Sequence, residues 1–192
     1  IGDDEKSASE YSLDNDRVQL VDPVEFEDGT SALPAVAAHK AQLGLERTPI
    51  NSRLNTEKRL ATTLTTSERE TLIAENAVPL ANEGGGVRIV DDQTTATSTE
   101  SLEFGFSRLV ADYIIQTTKD NQQPFVGRLN DPAILNTLEG MVNDSLAELQ
   151  TSNAVVDYNV NILQKDSVEA GVEMEVELVR PIRFIENTVT VQ

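Results

Sequence analysis

The hydrophobic pattern changes its period once in the second half of the chain, and this change limits the possible folds. From about residue 101 to 118, and again from 132 to about 150, apolar residues recur at helical spacing. At 155–163 and 171–179 they alternate with polar residues, as in strands that have one apolar and one wet face. Two helices followed by two such strands predict a small α+β domain.

Local signals set the limits of these elements. Asp131 before Pro132 is typical of a helix start, because aspartate caps free N–H groups and proline suits the first helical position. The first helical stripe consists of Leu102, Phe106, Leu109, Val110, Tyr113 and Ile114, and the second of Ile134, Leu135, Leu138, Met141, Val142, Leu146 and Leu149. The apolar strand positions are Val156, Tyr158, Val160, Ile162, Val172, Met174, Val176 and Leu178.

The first half of the chain predicts one part of an α/β layer domain. The run RVQLVDP at 17–23 is typical of a buried strand, and Asp28-Gly29 marks a turn. A helix of small residues is predicted to start at Pro34 and to end at Gly44. A strand, a loop and a small-residue helix in this order are typical of α/β layers.

A further helix and strand are predicted before the middle of the chain. Ser67 followed by Glu70 fits a capping box, and Pro79 comes soon after the expected end of this helix. The glycines of NEGGGVRIVDD indicate a turn into a strand at 87–90, and the threonine-rich QTTATSTE is interpreted as an extended segment or a connector. The predicted domains are therefore 1–95 and 96–192.

The composition restricts the partners of the chain. Its 33 acidic and 15 basic residues give a formal net charge of −18, which repels phosphate backbones, so no nucleic-acid partner is expected. An acidic, lysine-poor surface suits high salt, which screens its self-repulsion, so we expect a halophilic source; the alternative is an ordinary acidic protein. With no cysteine and no long apolar run, neither a thiolate site nor membrane insertion is expected.

No residue pattern predicts catalysis, a cofactor or a metal site. The single histidine, His39, lies in an alanine-rich helical segment, where a surface or packing role is expected. The EGGG segment lacks the lysine of a phosphate-binding loop and is interpreted as a turn. Glu173, Glu175 and Glu177 are interpreted as the solvated face of a strand.

The last predicted strand has two possible partners. Pro181 cannot donate to a β-ladder, so it marks a break or a sheet edge. Beyond it, Val189 and Val191 alternate with Thr188 and Thr190. This strand either extends the sheet of its own chain or adds to an edge in a neighbouring subunit, where main-chain hydrogen bonds would supply the affinity.

Taken in order, these segments resemble contractile tail sheath proteins of myoviruses and related contractile injection systems. DNDRVQLVDP followed by EDGTSALPAVAAHKAQLG is similar to the strand, loop and small-residue helix of that family. LTTSERETLIAENAVPLANEGGGVRIVDDQTT is similar to its next helix and strand. The C-terminal domain of the family is resembled by three parts of the second half. These are FVG at 125–127 before NDP at 130–132, the AVV-x-Y strand, and the closing RPIRFIENTVTV. The resemblance covers nearly the whole chain.

The resemblance implies a fold and a function. The expected fold class is α+β, with part of an α/β layer domain followed by a small sheath C-terminal domain of two helices on a mainly antiparallel sheet. The expected function is structural, not enzymatic: subunits polymerise as stacked rings around an inner tail tube and drive it through an envelope by contraction. The implied partners are other copies of the chain, the inner tube protein and the baseplate, with no cofactor. The implied location is the virion tail sheath, assembled in the host cytoplasm.

The resemblance also implies roles for individual residues. A C-terminal arm at about 181–192 is donated to a neighbour; it comprises Ile185, Asn187, Thr188, Val189, Thr190 and Val191, with Pro181 and Glu186 at its hinge. The receiving sheet comprises Val156, Tyr158, Val160, Val172, Met174 and Val176. The inner-tube face comprises Arg128, Asn136, Glu139, Asn143 and Asp144.

Two features depart from the family pattern. Members are usually longer, with more strands before the position of Arg17, and the acidic surface is stronger than expected, which fits a haloarchaeal virus or provirus. Because the chain starts at Ile1, we expect a processed chain, a designed fragment or part of a longer protein. The alternatives are another virion component such as a tail-tube or baseplate protein, an enzyme with a remote α/β fold, and a monomeric acidic α/β binding module.

Overall fold

The computed structural model describes residues 14–45, 47–97, 102–128, 130–164, 166 and 168–182. These residues form four α-helices, a mixed sheet of three strands and an antiparallel pair of strands, so the predicted α+β class is confirmed. The chain divides into two compact units. One runs to Phe106 and includes Arg180, and the other extends from Ser107 to Val179.

The first unit contains a three-stranded sheet with β2 in its centre. Its elements are β1 (Leu20–Asp22), α1 (Leu33–Leu43), α2 (Thr66–Ala74), β2 (Ala77–Glu83) and β3 (Gly86–Ile89). β1 pairs with β2 in parallel, Leu20 opposite Ala77, and β3 pairs with β2 antiparallel, Leu80 opposite Ile89. The core cluster consists of Phe26, Ala32, Val36, Leu54, Leu60, Val78, Leu80, Val87 and Ile89.

Strand β2 is not among the predicted elements, and it contains Pro79. This proline follows helix α2, as the sequence indicates, but it lies inside the central strand, opposite Asp22 of β1. Proline is tolerated there because the ladder between β2 and β3 ends at the next residue, Leu80, and the Pro79 carbonyl accepts a hydrogen bond from Val90 N–H (2.9 Å). Strand β1 is also shorter than the predicted strand, and it is half-buried instead of buried.

The turn between β2 and β3 is held by an arginine. Arg53 Nη2 donates to the Glu83 carbonyl (2.7 Å) and to the Gly84 carbonyl. Gly84 and Gly85 have positive φ, and a Cβ on Gly84 would lie 2.8 Å from Arg53 Nη2. The glycine run is therefore a structural turn, as the sequence predicts.

The capping box of α2 lies two residues before the predicted one. Thr65 Oγ1 accepts a hydrogen bond from Glu68 N–H (3.3 Å), and Glu68 Oε2 accepts one from Thr65 N–H (2.6 Å). The sequence TTSERE contains the capping pattern twice, as Thr65…Glu68 and as Ser67…Glu70, and the helix uses the first copy instead of the predicted second one. The hydrogen bonds from the Thr65 backbone and side chain lower the pKa of Glu68.

Replacing Thr65 by alanine tests this assignment. Loss of an N-cap side chain typically destabilises a protein by about 1 kcal/mol, so we expect Thr65→Ala to lower the urea midpoint accordingly. Ser67→Ala is the matched control, because Ser67 lies inside the helix, and it should change the midpoint much less. Equal losses in the two variants would contradict the assignment.

The predicted turn at Asp28-Gly29 is present and carries an ion pair. Gly29 N–H donates to the Phe26 carbonyl (2.8 Å), and Lys58 Nζ lies 2.7 Å from Asp28 Oδ2. Thr30 also donates to Asp28 Oδ1, through its N–H (3.1 Å) and its hydroxyl (2.5 Å). The hydrogen bond from Lys58, followed by those from Thr30, lowers the pKa of Asp28 from 3.8 to about 2.

An acid titration followed by carboxyl-carbon NMR checks the state of Asp28. Because its pKa in the folded protein is depressed, its contribution to stability is present above the ordinary value of 3.8 and is lost as the pH falls through about 2. In Lys58→Met the pKa of Asp28 should move back towards the ordinary value. An unchanged titration in that variant would contradict the leading role of Lys58.

The second unit combines two helices with a hairpin. Its elements are α3, which begins just before the unit boundary (Gly105–Gln122), a 3-10 turn (Gln123–Phe125), α4 (Pro132–Thr151), β4 (Val155–Gln164) and β5 (Ala170–Leu178). Asp131 Oδ1 accepts hydrogen bonds from Ala133 N–H (2.9 Å) and Ile134 N–H (3.1 Å), so the predicted cap is confirmed. Helix α3 is shifted by about one turn from the predicted 101–118.

The buried faces of the two helices are narrower than the predicted stripes. α3 buries Phe106, Ser107, Val110, Ile114 and Thr118, and α4 buries Leu138, Val142, Leu146 and Leu149. Leu109 and Tyr113 were predicted to be in the core but are 45% and 47% exposed, and Met141 is also exposed. Residues at helical spacing all lie on one side of the helix. The spacing alone therefore does not show which row on that side is buried and which neighbouring row is exposed.

The two strands show the predicted alternation except at the start of the hairpin. Tyr158 lies opposite Val176, and Val160 lies opposite Met174. A bulge between Val155 and Asp157 shifts the alternation, so Val155 is buried and Val156 is 49% exposed. The prediction that Val156 shares the apolar face is therefore wrong.

Candidate assembly surface

The β4–β5 hairpin has one face covered by helices. Tyr158 Oη donates to the Asn143 carbonyl of α4 (3.4 Å), and Thr118 Oγ1 of α3 lies 3.4 Å from Met174 Sδ. The side chains on this face are half-buried. Five of the six predicted receiving-sheet residues lie on it: Tyr158, Val160, Val172, Met174 and Val176.

The opposite face of the hairpin is acidic and exposed. Its cross-strand pairs are Asp157–Glu177, Asn159–Glu175 and Asn161–Glu173. None of the four carboxylates forms an ion pair with a described residue. Like charges directly opposite each other weaken a strand pair, so this face carries unfavourable electrostatic energy in the isolated chain.

Each hairpin strand pairs on one side only within the described part of the chain. β4 and β5 pair with each other and form a sheet of two strands. At the start of β4, Gln150 Nε2 of α4 donates to the Val156 carbonyl (2.8 Å), which occupies one acceptor at the bulge. The remaining edges present main-chain donors and acceptors of the kind that an added strand uses.

The candidate inner-tube residues do not form one group. Asn136 and Asp144 are exposed on α4, whereas Glu139 and Asn143 are half-buried. Asn143 Nδ2 donates to the Glu139 carbonyl (3.0 Å), so this amide is used inside the helix. Arg128 lies in the loop before α4, where its Nε donates to the Pro124 carbonyl (3.0 Å).

Most of the predicted arm lies outside the described residues. Pro181, at the proposed hinge, is half-buried. Glu186 and the arm residues Ile185, Asn187, Thr188, Val189, Thr190 and Val191 are not among the residues that the structure describes.

A buried polar network that the sequence did not indicate surrounds Asp92, which is 1% exposed. Asp92 Oδ2 accepts from Phe106 N–H (2.8 Å), and its carbonyl accepts from Gly105 N–H (2.7 Å), so a distant residue caps α3. Lys40 Nζ pairs with Asp92 Oδ1, and Gln19 Nε2 donates to the same oxygen (2.9 Å). We call these five residues the Asp92 network.

Gly105 leaves room for the Gln19 amide in the network. A Cβ at this position would lie 2.9 Å from Gln19 Cδ, which is closer than real contacts of this kind. No local pattern predicts the network, because Asp92 is not next to the start of the helix that it caps. Capping rules consider only the residues next to a helix start.

Breaking the network should destabilise the protein strongly. Removing one partner of a buried ion pair typically costs about 3–5 kcal/mol, because it leaves the other charge uncompensated. We therefore expect Asp92→Ala and Lys40→Met each to lower the urea midpoint markedly. Lys119→Met is the matched control, because Lys119 is exposed, and it should leave the midpoint unchanged. Losses no larger than that of the control would contradict a stabilising role.

His39 contacts a serine, but the geometry is not that of an activated nucleophile. His39 Nε2 lies 2.8 Å from Ser52 Oγ, and Ser52 Oγ donates its only proton to the Pro49 carbonyl (2.5 Å). With the hydroxyl proton directed at the Pro49 carbonyl, the serine oxygen is left to accept from a protonated His39 Nε2. A general base would need the opposite arrangement.

The described part of the chain contains no group of three or more acidic or histidine side chains arranged to hold a metal ion. None of its helices combines the length and apolar character needed to cross a membrane.

The fold is that of contractile sheath proteins. No protein-family model matches the sequence, and no curated protein matches it at a significant level. A chain of the anti-feeding prophage helical sheath in its contracted state is 14% identical and superposes on 98% of this chain with a TM-score of 0.80. A chain of the anti-feeding prophage baseplate is 15% identical and superposes on 93% with a TM-score of 0.79.

A sheath tail protein of Desulfitobacterium hafniense has the same fold. It is 18% identical, and 86% of this chain superposes on it with a TM-score of 0.65. The chain spans 59%, 56% and 46% of the length of these three proteins, in the order given. The structural resemblance that the sequence motifs predict is confirmed over most of the chain.

Proposed function

We propose that this chain is a structural subunit of a contractile tail sheath and not an enzyme. It polymerises around an inner tail tube and drives the tube through a target envelope by contraction. One observation carries the proposal: 98% of the chain shares its fold with a helical sheath protein in the contracted state. In this proposal residues 1–95 correspond to the later part of the α/β core domain and 96–192 to the C-terminal domain.

The proposal defines the partners and the location of the protein. Its partners are other copies of itself, an inner tube protein and a baseplate, and no cofactor or nucleotide takes part. The energy for contraction is stored in the assembled array, so the bistable element is the polymer and not the single subunit. The location is the tail sheath of a virion or a related particle, assembled in the host cytoplasm.

Strand exchange is the proposed link between subunits. Residues 185–191 of one copy, hinged at Pro181 and Glu186, add a strand to the hairpin of another. The hairpin supports this role because it has one apolar and one polar face and free edges in the described chain. Val189 and Val191 would extend the apolar face, while Thr188 and Thr190 would lie beside the acidic one. A backbone ladder of this kind stays connected while side-chain contacts change.

The inner-tube face is proposed on the exposed side of α4. Asn136 and Asp144 are the best placed of the candidates, because both are exposed. Glu139 and Asn143 are less available, since they are half-buried and Asn143 bonds within the helix. High salt is the proposed working condition, because a polymer of subunits that each carry −18 must screen its own repulsion.

Electron microscopy of arm variants in high salt tests the proposal. We expect the full chain to form rings or tubes and a chain that ends at Glu186 to remain monomeric. Thr188→Pro removes one backbone donor from the arm and should also impair assembly, whereas the control Thr188→Val keeps that donor and should assemble normally. If the full and the shortened chain are the same compact monomer, the sheath function is wrong.

A baseplate component is the second candidate function. The anti-feeding prophage baseplate chain superposes almost as well as the helical sheath chain, with a TM-score of 0.79. The same micrographs separate the two functions. A sheath subunit forms tubes that extend by stacked rings, whereas a baseplate subunit stops at a closed ring.

A further inference from the structure

The loop between α3 and α4 holds an arginine at the surface. Arg128 Nε donates to the Pro124 carbonyl (3.0 Å), and its guanidinium carbon lies 5.4 Å from the centre of the Phe125 ring. Arg128 N–H donates to the Phe125 carbonyl (3.0 Å), and Val126 between them is 76% exposed. We call residues 124–128 the arginine loop.

The outer end of Arg128 is available to an anion. Among the described residues, its contacts are made by Nε and by the face of the guanidinium group, so the two terminal nitrogens remain open. A guanidinium held in this way offers donors in the fork geometry that suits a carboxylate. Less side-chain entropy is lost on binding, because the loop already fixes the arginine.

The acidic hairpin face offers the complementary charge. Glu173, Glu175 and Glu177 project from one strand at intervals of about 7 Å, and Asp157 lies opposite Glu177. Some carboxylates elsewhere in the described chain have a cation beside them. The pairs are Asp28 with Lys58, Glu83 with Arg69 and Arg88, Asp92 with Lys40, and Asp112 with Arg108.

We propose that Arg128 of one copy binds the acidic hairpin face of a second copy. The choice of a second copy rests on the proposed sheath function. Charge also supports a second copy as the partner. Residues 107–179 contain twelve acidic and four basic residues, and one of the four, Arg108, is bound to Asp112 in its own helix. Few basic residues of this unit are therefore left to pair with its own carboxylates. The contact joins two different patches, so it can repeat from copy to copy into a ring or a helix.

The contact works at short range against the net charge of the chain. Long-range repulsion between two copies of charge −18 is screened in salt, whereas a bidentate pair in contact is screened less. Binding of Arg128 would also relieve the repulsion between Asp157 and Glu177 across the strands. High salt therefore allows assembly without abolishing the specific pair.

Exchanging the two charges of the contact tests the proposal. Self-association of the full chain is measured by sedimentation velocity over a range of protein concentrations at one salt concentration. We expect Arg128→Glu and Glu175→Lys each to weaken self-association by about tenfold or more. The double variant restores the opposite charges and the wild-type net charge, and it should recover most of the loss. Lys119→Glu is the matched control, because it makes the same charge change at another exposed position of the same unit, and it should associate nearly as the wild type does.

The outcomes separate this contact from the sheath function. The contact is wrong if Arg128→Glu associates as the wild type does, or if Lys119→Glu loses as much association. It is also wrong if the double variant does not recover, or if the wild-type chain never self-associates. If Arg128→Glu still forms normal tubes, the contact is wrong and the sheath function stands. If a small oligomer depends on Arg128 but never extends to rings or tubes, the contact stands and the sheath function is wrong.

Discussion

The ion pair between Asp92 and Lys40 is the interaction on which the first unit depends. The ion pair joins α1 to the segment after β3. Gln19, the residue before β1, is held to the same segment because its amide donates to Asp92. The same carboxylate caps the first turn of α3. A charge at a buried position is costly unless it is paired and hydrogen-bonded, and here both conditions are met by residues from distant parts of the sequence. The arrangement thus specifies the mutual placement of α1, β1 and the segment after β3 within the first unit more sharply than apolar contacts alone would.

The described hairpin and the helix before it show what pattern reasoning can predict. The cap at Asp131, the extent of α4 and the alternation along β4 and β5 all follow from rules that relate residues close together in sequence. The glycine turn between β2 and β3 follows from the same kind of rule, although its anchor, Arg53, does not. Of the candidate site, the residues that share the apolar face of the hairpin were predicted almost completely, because alternation along a strand determines which residues share a face. Their role as a receiving sheet stays a prediction.

The failures have physical causes that a sequence pattern does not contain. Thr65 and Ser67 fit the capping rule equally well, so only the folded helix distinguishes them. Pro79 is tolerated in a central strand because the pairing of β2 with β3 ends at the next residue. Where such pairing ends depends on contacts between segments, which a local pattern does not contain. Val155 replaces Val156 in the core because a bulge inserts one residue. The Asp92 network combines residues that no local rule connects.

The parallel pairing of β1 with β2 has a consequence for the order in which this protein can fold. Leu20 cannot find its partner until Ala77 has left the ribosome, with α1 and α2 in between. The β4–β5 hairpin, in contrast, closes between neighbours in sequence, and local contacts form faster than distant ones. During synthesis β1 remains an unpaired strand while a large part of the first unit emerges. Expression at lower temperature or with chaperones that bind extended segments should therefore favour a well-folded product.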